Sequence, residues 1–156
     1  MSVIENLAPR LADITQWLDG RPVDNALVGA LNDAYPLQGQ WCEEVERLCR
    51  QGMENGELGR HESGGIRFGR VFKPAPEYHG FSLDIVHMEN IEGPHHRHPH
   101  GEIDLVLPLD DSARFDGQSG GWVVYPPDSA HHPTVTDGRA IVLYLLPEGA
   151  IEFSQR

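Results

Sequence analysis

Residues 93–102 read Gly-Pro-His-His-Arg-His-Pro-His-Gly-Glu and place four of the chain's nine histidines within six positions. Within them His96, His98 and Glu102 follow the spacing H-x-H-x-x-x-E. Alternate residues of an extended strand point to the same face, so the side chains of His96 and His98 can converge on one ion. The competing interpretation is a solvated, histidine-rich loop beside glycine and proline.

A second segment adds one more imidazole. Residues 125–131 read Tyr-Pro-Pro-Asp-Ser-Ala-His, so His131 follows a proline turn about thirty residues after the first segment. Three histidines and one glutamate suit a divalent transition metal, and they fit iron, manganese, nickel or zinc. We therefore predict that His96, His98, Glu102 and His131 bind one ion, although the same residues could also act as acids and bases without metal. Glu102 and His131 are candidate catalytic groups, and His100 is a candidate proton shuttle.

Composition limits the partners. The 156 residues suit one compact domain, with or without a small appendage, and 12 basic against 24 acidic residues give a net charge of −12. Nucleic acid and anionic membranes both require basic patches, so neither is an expected partner. The sequence shows neither an apolar run of membrane-spanning length nor a signal peptide. Cys42 and Cys49 lie two helical turns apart, too far for a disulfide, which favours a cytoplasmic protein.

The hydrophobic pattern changes near residue 60. Before it, apolar residues recur at helical spacing, as in Leu7, Leu11, Ile14 and Leu18, and a short middle helix is expected before Pro36. After it, short β-prone runs alternate with glycine, proline and aspartate. The candidate strands are residues 66–73, 81–88, 102–107, 122–125, 133–136, 140–146 and 151–153. We expect a mainly β protein, with residues 61–156 forming a small antiparallel β-barrel and residues 1–60 forming helices packed on it.

Other side chains are candidates for substrate binding. Arg67 and Arg70 lie in a strand-like run, and a guanidinium can hold a carboxylate through two parallel hydrogen bonds. The alternative is that both arginines are simply exposed to solvent. Tyr144 lies in a strongly apolar strand, where a core aromatic is more usual than a catalytic acid, and it is the third candidate for substrate binding. Asp104 shares the strand face of Glu102 and could orient a ligand histidine.

The two histidine segments resemble the cupin superfamily, whose first motif carries H-x-H-x3/4-E and whose second places a histidine after a proline turn. Here His96, His98 and Glu102 match the first motif and His131 the second, although Asp128 stands where a turn glycine is usual. A narrower resemblance covers nearly the whole chain. Residues 64–72, 98–106, 125–135 and 143–153 look like the small bacterial family that includes 4-hydroxylaminobenzoate lyase. The resemblance implies a cupin-type barrel, a homodimer and a small aromatic carboxylate as substrate.

Three functions remain open from the sequence. The family resemblance implies conversion of 4-hydroxylaminobenzoate, or a related aromatic hydroxylamine, to 3,4-dihydroxybenzoate and ammonia during nitroaromatic degradation. A metal-dependent dioxygenase acting on a small aromatic or thiol substrate is the first alternative, and it would consume oxygen. A non-catalytic cupin that binds a small molecule is the second. Oxygen uptake and ammonia release, measured together, distinguish the three.

Overall fold

The computed structural model describes residues 2–154, beginning with three helices. Ser2 caps the first helix, because its side chain accepts from the Glu5 amide while the Glu5 side chain accepts from the Ser2 amide. The third helix ends at Gly56, whose φ of 83° lies in the left-handed region that favours glycine. The helices are α1 (Val3–Leu18), α2 (Ala26–Ala34) and α3 (Gln40–Asn55). Within the described residues, none of the helices is both long and apolar enough to cross a membrane.

Antiparallel strands make up most of the rest of the chain. They are β1 (His61–Ser63), β2 (Ile66–Phe72), β3 (Phe81–Glu92), β4 (His96–His98), β5 (Glu102–Pro108), β6 (Arg114–Phe115), β7 (Gly121–Tyr125), β8 (Ser129–His131), β9 (Thr134–Pro147) and β10 (Glu152–Phe153). A 7-stranded sheet has the order β1-β2-β3-β9-β5-β7, with β6 paired to β9, and a 3-stranded sheet has the order β10-β4-β8. The predicted mainly β class with N-terminal helices is confirmed. The expected closed barrel needs correction, because the described strands pair into two separate sheets.

Strand β9 also differs from the prediction. The sequence suggested two strands, at residues 133–136 and 140–146, separated by the turn-like pair Asp137 and Gly138. Both residues have positive φ, 61° and 142°, yet the strand continues through them. The amide of Gly138 donates to the Asn90 side chain at 3.1 Å, where the pairing of β3 with β9 shifts register. The two strands therefore bend together, and β9 pairs with β6 before the bend and with β5 after it.

The two faces of the large sheet have different neighbours. One face packs against the helices, and its central apolar residues include Ile103, Leu105 and Leu143. The opposite face carries Val106, Val142 and Tyr144 in a separate apolar cluster, together with the ionisable residues of the site. Helices and sheet thus share one apolar core. The division of the chain into two units at residue 60 stays a prediction.

Candidate metal centre

The four predicted ligands meet where the two sheets face each other. His96 and His98 point to one face of β4, and β8 places His131 directly opposite His96. Glu102 comes from the large sheet, as the first residue of β5. One potential ligand atom from each of the four side chains lies within 4.8 Å of the others. The sequence therefore predicted a cluster that the fold does assemble.

A tight reversal connects β4 to β5 and brings Glu102 back to the histidines. The Gly101 amide donates to the His98 carbonyl at 3.2 Å, and Gly101 has a φ of 90°. A Cβ at this position would lie 2.7 Å from a Val23 methyl carbon and 2.9 Å from the Tyr125 carbonyl oxygen. Both the backbone conformation and the available space require glycine here.

The cluster holds buried polar atoms that lack a protein partner. His96 Nε2 lies 3.2 Å from Glu102 Oε1 and 3.1 Å from His131 Nε2. Glu102 Oε2 lies 3.3 Å from His131 Nε2 and 3.5 Å from His98 Nε2. Even so, Glu102 Oε2 and His98 Nε2 make no hydrogen bond within the described chain. Such buried atoms are costly unless another group satisfies them, so the donor set fits a divalent transition metal.

Two further side chains orient the histidines from behind. Asp116 Oδ2 accepts a hydrogen bond from His131 Nδ1 at 2.6 Å, and the Tyr125 hydroxyl donates to the same oxygen. Ser129 Oγ lies 2.9 Å from His98 Nδ1 and donates to the Pro126 carbonyl at 2.6 Å. The sequence did not single out Asp116 or Ser129. Its only signal for Asp116 was the Asp-Gly pair at residues 116–117, which indicates a turn and nothing more.

The environment shifts the pKa values of the cluster. Burial alone would lower the pKa of His131, but the carboxylates of Asp116 and Glu102 outweigh it and raise that pKa to about 9. Burial would raise the pKa of Glu102, yet its contacts with His131 and His96 hold it below the usual range. For His98, burial dominates and lowers the pKa to about 4. At neutral pH the protein alone therefore places a protonated His131 beside an ionised Glu102 and a neutral His98.

Asp104 is a buried carboxyl group close to this cluster. Burial raises its pKa well above the ordinary value, and the charge of Glu102 raises it further. Its side-chain contact is with Glu102, and both of its oxygens are otherwise unpartnered within the described residues. The structure thus places Asp104 against the Glu102 carboxylate, and not against a histidine of the cluster as the sequence suggested.

A cavity of about 620 Å³ opens beside His96. Its walls are mainly apolar, with Phe68, Val86, Met88, Ile151 and Phe153 among them. Its polar lining includes Arg70, Asp84, Glu92, Tyr144 and His96. The volume and the apolar walls are typical of a pocket for a small organic molecule.

Two of the three predicted substrate-binding residues line this cavity. Arg70 does so while its Nε and Nη2 groups donate to the two Asp84 oxygens at 2.8 and 3.1 Å. Tyr144 lines it too, with its ring centroid 6.3 Å from that of His96. Arg67 points to the opposite face of β2, where its Nη2 group donates to the carbonyls of Met53 and Leu58 at 3.1 and 3.3 Å. An odd spacing of three residues along a strand explains the separation of the two arginines.

His100 also lies apart from the cluster. Its Nε2 atom is 2.9 Å from a Glu148 carboxylate oxygen, and 51% of its side chain is exposed. The structure therefore brings Glu102 and His131 together but leaves the third candidate catalytic residue at the surface.

Known proteins match this chain over nearly its whole length. The sequence profile of the family described as PnbB: 4-hydroxylaminobenzoate lyase matches residues 9–153. The chain belongs to the 4-hydroxylaminobenzoate lyase family. One relative, the 4-hydroxylaminobenzoate lyase of Nocardioides sp. (strain LMS-CY), is 33% identical over 98% of this chain and 96% of its own. The lyase of the same name from Pseudomonas putida is 30% identical over 79% of this chain and 80% of its own.

Solved structures with similarity to this lyase-family chain include cupin-like proteins. An RmlC-like cupin protein from Ralstonia eutropha JMP134 has a TM-score of 0.43 and 19% identity, covering 58% of this chain and 60% of that one. A protein with a double-stranded β-helix domain from Klebsiella pneumoniae has a TM-score of 0.46 and 18% identity, covering 65% of this chain and 94% of that one. The family resemblance noted in the sequence is confirmed by the profile and by the two lyases.

Proposed function

We propose that this protein is an ammonia-releasing lyase that converts 4-hydroxylaminobenzoate, or a closely related aromatic hydroxylamine, to 3,4-dihydroxybenzoate. The similarity to two lyases of that name, over 98% and 79% of this chain, carries the proposal. The reaction consumes one water and releases one ammonia, so it is redox-neutral overall. It requires an acid for the departing N-hydroxyl group, a base for water, and a pocket for one aromatic ring.

We further propose that His96, His98, Glu102 and His131 hold a divalent transition metal such as iron, manganese, nickel or zinc. The unpartnered Glu102 Oε2 and His98 Nε2 atoms support this role. When bound, such an ion would supply Lewis acidity and would lower the pKa of a nearby water. Should the cluster work without metal, His131 is the group placed to give a proton and Glu102 the group placed to accept one.

The cavity supports one orientation for the substrate. The cross-strand row Arg70–Asp84–Tyr144 places Arg70 two strands from Tyr144, a separation of about 10 Å at ordinary strand spacing. We place the substrate carboxylate at Arg70 and the hydroxylamino group near Tyr144 and His96. Asp84 holds the guanidinium in place, and Nη1 has no hydrogen-bond partner among residues 2–154, so Nη1 would be the group that meets the carboxylate.

Other residues of the cavity would contact the ring and the hydroxylamino group of the substrate. Phe68 and Phe153 provide aromatic walls at its exposed side, where a flat ring can pack. Burial raises the pKa of Tyr144, and the nearby Glu102 and Asp104 raise it further, so its hydroxyl stays protonated at neutral pH. Tyr144 would therefore donate a hydrogen bond to the substrate.

The decisive experiment supplies 4-hydroxylaminobenzoate to protein purified without chelator, under strictly anaerobic conditions. We expect ammonia and 3,4-dihydroxybenzoate in equal amounts, with elemental analysis giving one transition-metal ion per cluster. An enzyme-free reaction controls for spontaneous rearrangement of the hydroxylamine. Turnover only when oxygen is admitted would support a dioxygenase, and binding without turnover would support a non-catalytic cupin.

We also propose a cytoplasmic homodimer. Both cysteines are free and buried, which is compatible with a reducing compartment. Strands β1 and β7 end the order of the large sheet, and such edges favour pairing with a second copy. Light scattering at micromolar concentration tests the assembly, and a monomeric mass would contradict it.

A further inference from the structure

Hydrogen bonds to a residue outside the histidine cluster fix the position of Asp116. It follows β6 with a φ of 49°, in the left-handed region. Its amide donates to the Thr134 carbonyl at 2.8 Å, and its Oδ1 atom accepts from the Thr134 amide at 2.9 Å. This pair of hydrogen bonds ties both the backbone and the carboxylate of Asp116 to the start of β9.

Three donors converge on this carboxylate. Besides the Thr134 amide, His131 Nδ1 donates to Oδ2 at 2.6 Å, and the Tyr125 hydroxyl donates to the same oxygen. A carboxylate accepts at both oxygens and satisfies all three, whereas an amide would have to turn its NH₂ group towards one of them. The Tyr125 ring also lies against the His131 ring, with centroids 4.2 Å apart. The imidazole is thus held at its edge and over its face.

The hydrogen bond from His131 Nδ1 to Asp116 decides which nitrogen of the His131 ring faces the cluster. With Nδ1–H directed at Asp116, the other nitrogen, Nε2, lies 3.3 Å from Glu102 Oε2 and 3.1 Å from His96 Nε2. We propose that Asp116 is the positioning residue of the site: it selects the Nδ1–H tautomer of His131 and aims Nε2 at Glu102 and His96. The effect on metal affinity rests on the proposed metal-binding role of the cluster, whereas the effect on the tautomer does not.

The other two histidines are supported differently. His98 Nδ1 donates to the Ser129 hydroxyl at 2.9 Å, because that hydroxyl gives its own proton to the Pro126 carbonyl. His96 Nδ1 has no partner within the described chain. A hydrogen bond to a carboxylate is roughly twice as strong as one to a neutral acceptor. Loss of Asp116 should therefore affect the cluster more than loss of the Ser129 hydroxyl.

The first test measures zinc affinity by competition with a chromophoric chelator. We expect Asp116→Asn to weaken zinc binding by about 10–100-fold, and Ser129→Ala to weaken it less. Asp110→Asn is the matched control, because Asp110 also accepts three hydrogen bonds, all from Arg139, outside the cluster. Its zinc affinity should equal that of the wild type. Equal affinities for Asp116→Asn and the wild type would overturn the proposed effect on metal binding.

The second test reads the tautomer directly. Nitrogen-15 NMR of the imidazoles in the metal-free wild type, at a pH where the spectrum shows His131 to be neutral, should place the proton on His131 Nδ1, and in Asp116→Asn the proton should be shared between Nδ1 and Nε2. A purely structural role would lower the thermal midpoint without changing the tautomer. If Asp116→Asn does not fold, Asp116→Ser replaces it, because serine also lacks the carboxylate, and a zinc affinity equal to that of the wild type in that variant would overturn the proposed effect on metal binding.

The role of Asp116 can still be tested if the wild-type protein binds no metal. A wild type that binds neither zinc nor manganese would remove the proposed metal role but not the positioning of His131. The tautomers of the metal-free wild type and Asp116→Asn are then compared at a pH where the spectra show His131 to be neutral in both proteins. A switch between the two proteins supports the proposal, and an identical tautomer overturns it.

Discussion

The two faces of strand β5 are equally buried but differ in chemistry. Ile103, Leu105 and Leu107 are at most 1% exposed and pack on the helix side. On the opposite face Glu102 and Asp104 are also fully buried, yet both are ionisable and both have oxygens without hydrogen-bond partners in the described chain. Burial alone therefore does not separate stability from function. Apolar burial on the helix face raises the free energy of unfolding. Desolvation of the carboxyl groups on the site face lowers it.

The largest effect is expected on the site face. Glu102→Gln keeps the side-chain volume but removes the charge, so kcat should fall by about 10²–10⁴-fold. The binding of the proposed metal should also weaken or be lost. The free energy of unfolding should fall, but only modestly, because Asp116 still pairs with the protonated His131 after the Glu102 charge is removed. Steady-state kinetics, elemental analysis and urea denaturation measure the three quantities. A variant with normal kcat would show that the buried carboxylate is not part of the machinery.

The helix face should show the opposite response. Leu105→Ala removes apolar side-chain atoms between sheet and helices and should lower the free energy of unfolding by about 2–5 kcal/mol. The kcat of the folded fraction and its metal content should not change. Urea denaturation followed by kinetics well below the midpoint checks both. Loss of kcat without loss of stability would mean that the two faces are not independent.

The two arginines of β2 test the same division with a matched pair. Arg70→Leu removes the proposed carboxylate contact, so KM should rise by about 10–100-fold with little change in kcat, as expected for a hydrogen bond to a charged group. Arg67→Leu is the control, because its guanidinium bonds the Met53 and Leu58 carbonyls on the helix side. It should lower stability and leave KM unchanged. The reverse result would move the substrate to the other face.

The smallest effect is expected in the pH dependence of metal affinity. The pKa of His131 is raised to about 9, so this residue is protonated at pH 7.5 and must lose a proton before Nε2 can bind metal. Metal affinity should accordingly rise with pH up to about 9, by about tenfold per pH unit. Titration calorimetry in buffers of different ionisation enthalpy should detect about one proton released per ion. Binding with no proton release would show that His131 is neutral before binding.

The convergence of the four cluster residues could be predicted where these residues follow local rules. His96, His98 and Glu102 lie in one strand–turn–strand segment whose spacing encodes convergence, and His131 follows a recognisable proline turn. Asp116 was missed because it lies 15 residues from His131 and contacts it only once β6 has paired with β9. Its carboxylate carries no pattern that alternation or motif spacing can reveal.

The fold shows the same limit. The helices and the longer strands follow apolar periodicity, but strands β4, β6 and β8 are two or three residues long and carry no periodic signal. The bend of β9 was read as a turn because an isolated Asp-Gly pair usually ends a strand. Only the matching register shift in β3 allows β9 to continue, and a neighbour about fifty residues away, the Asn90 side chain, is not visible locally.

The central position of β9 has a consequence for folding during synthesis. Strand β9 lies between β3 and β5, so one edge of each of these earlier strands lacks its partner until β9 has been synthesised. Unpaired strand edges are sites of aggregation, and pairings between distant segments form slowly. The three helices are made first, but the sheet face that covers their apolar side is completed among the last steps. We therefore expect the nascent chain to be prone to aggregation until β9 has paired with β3 and β5.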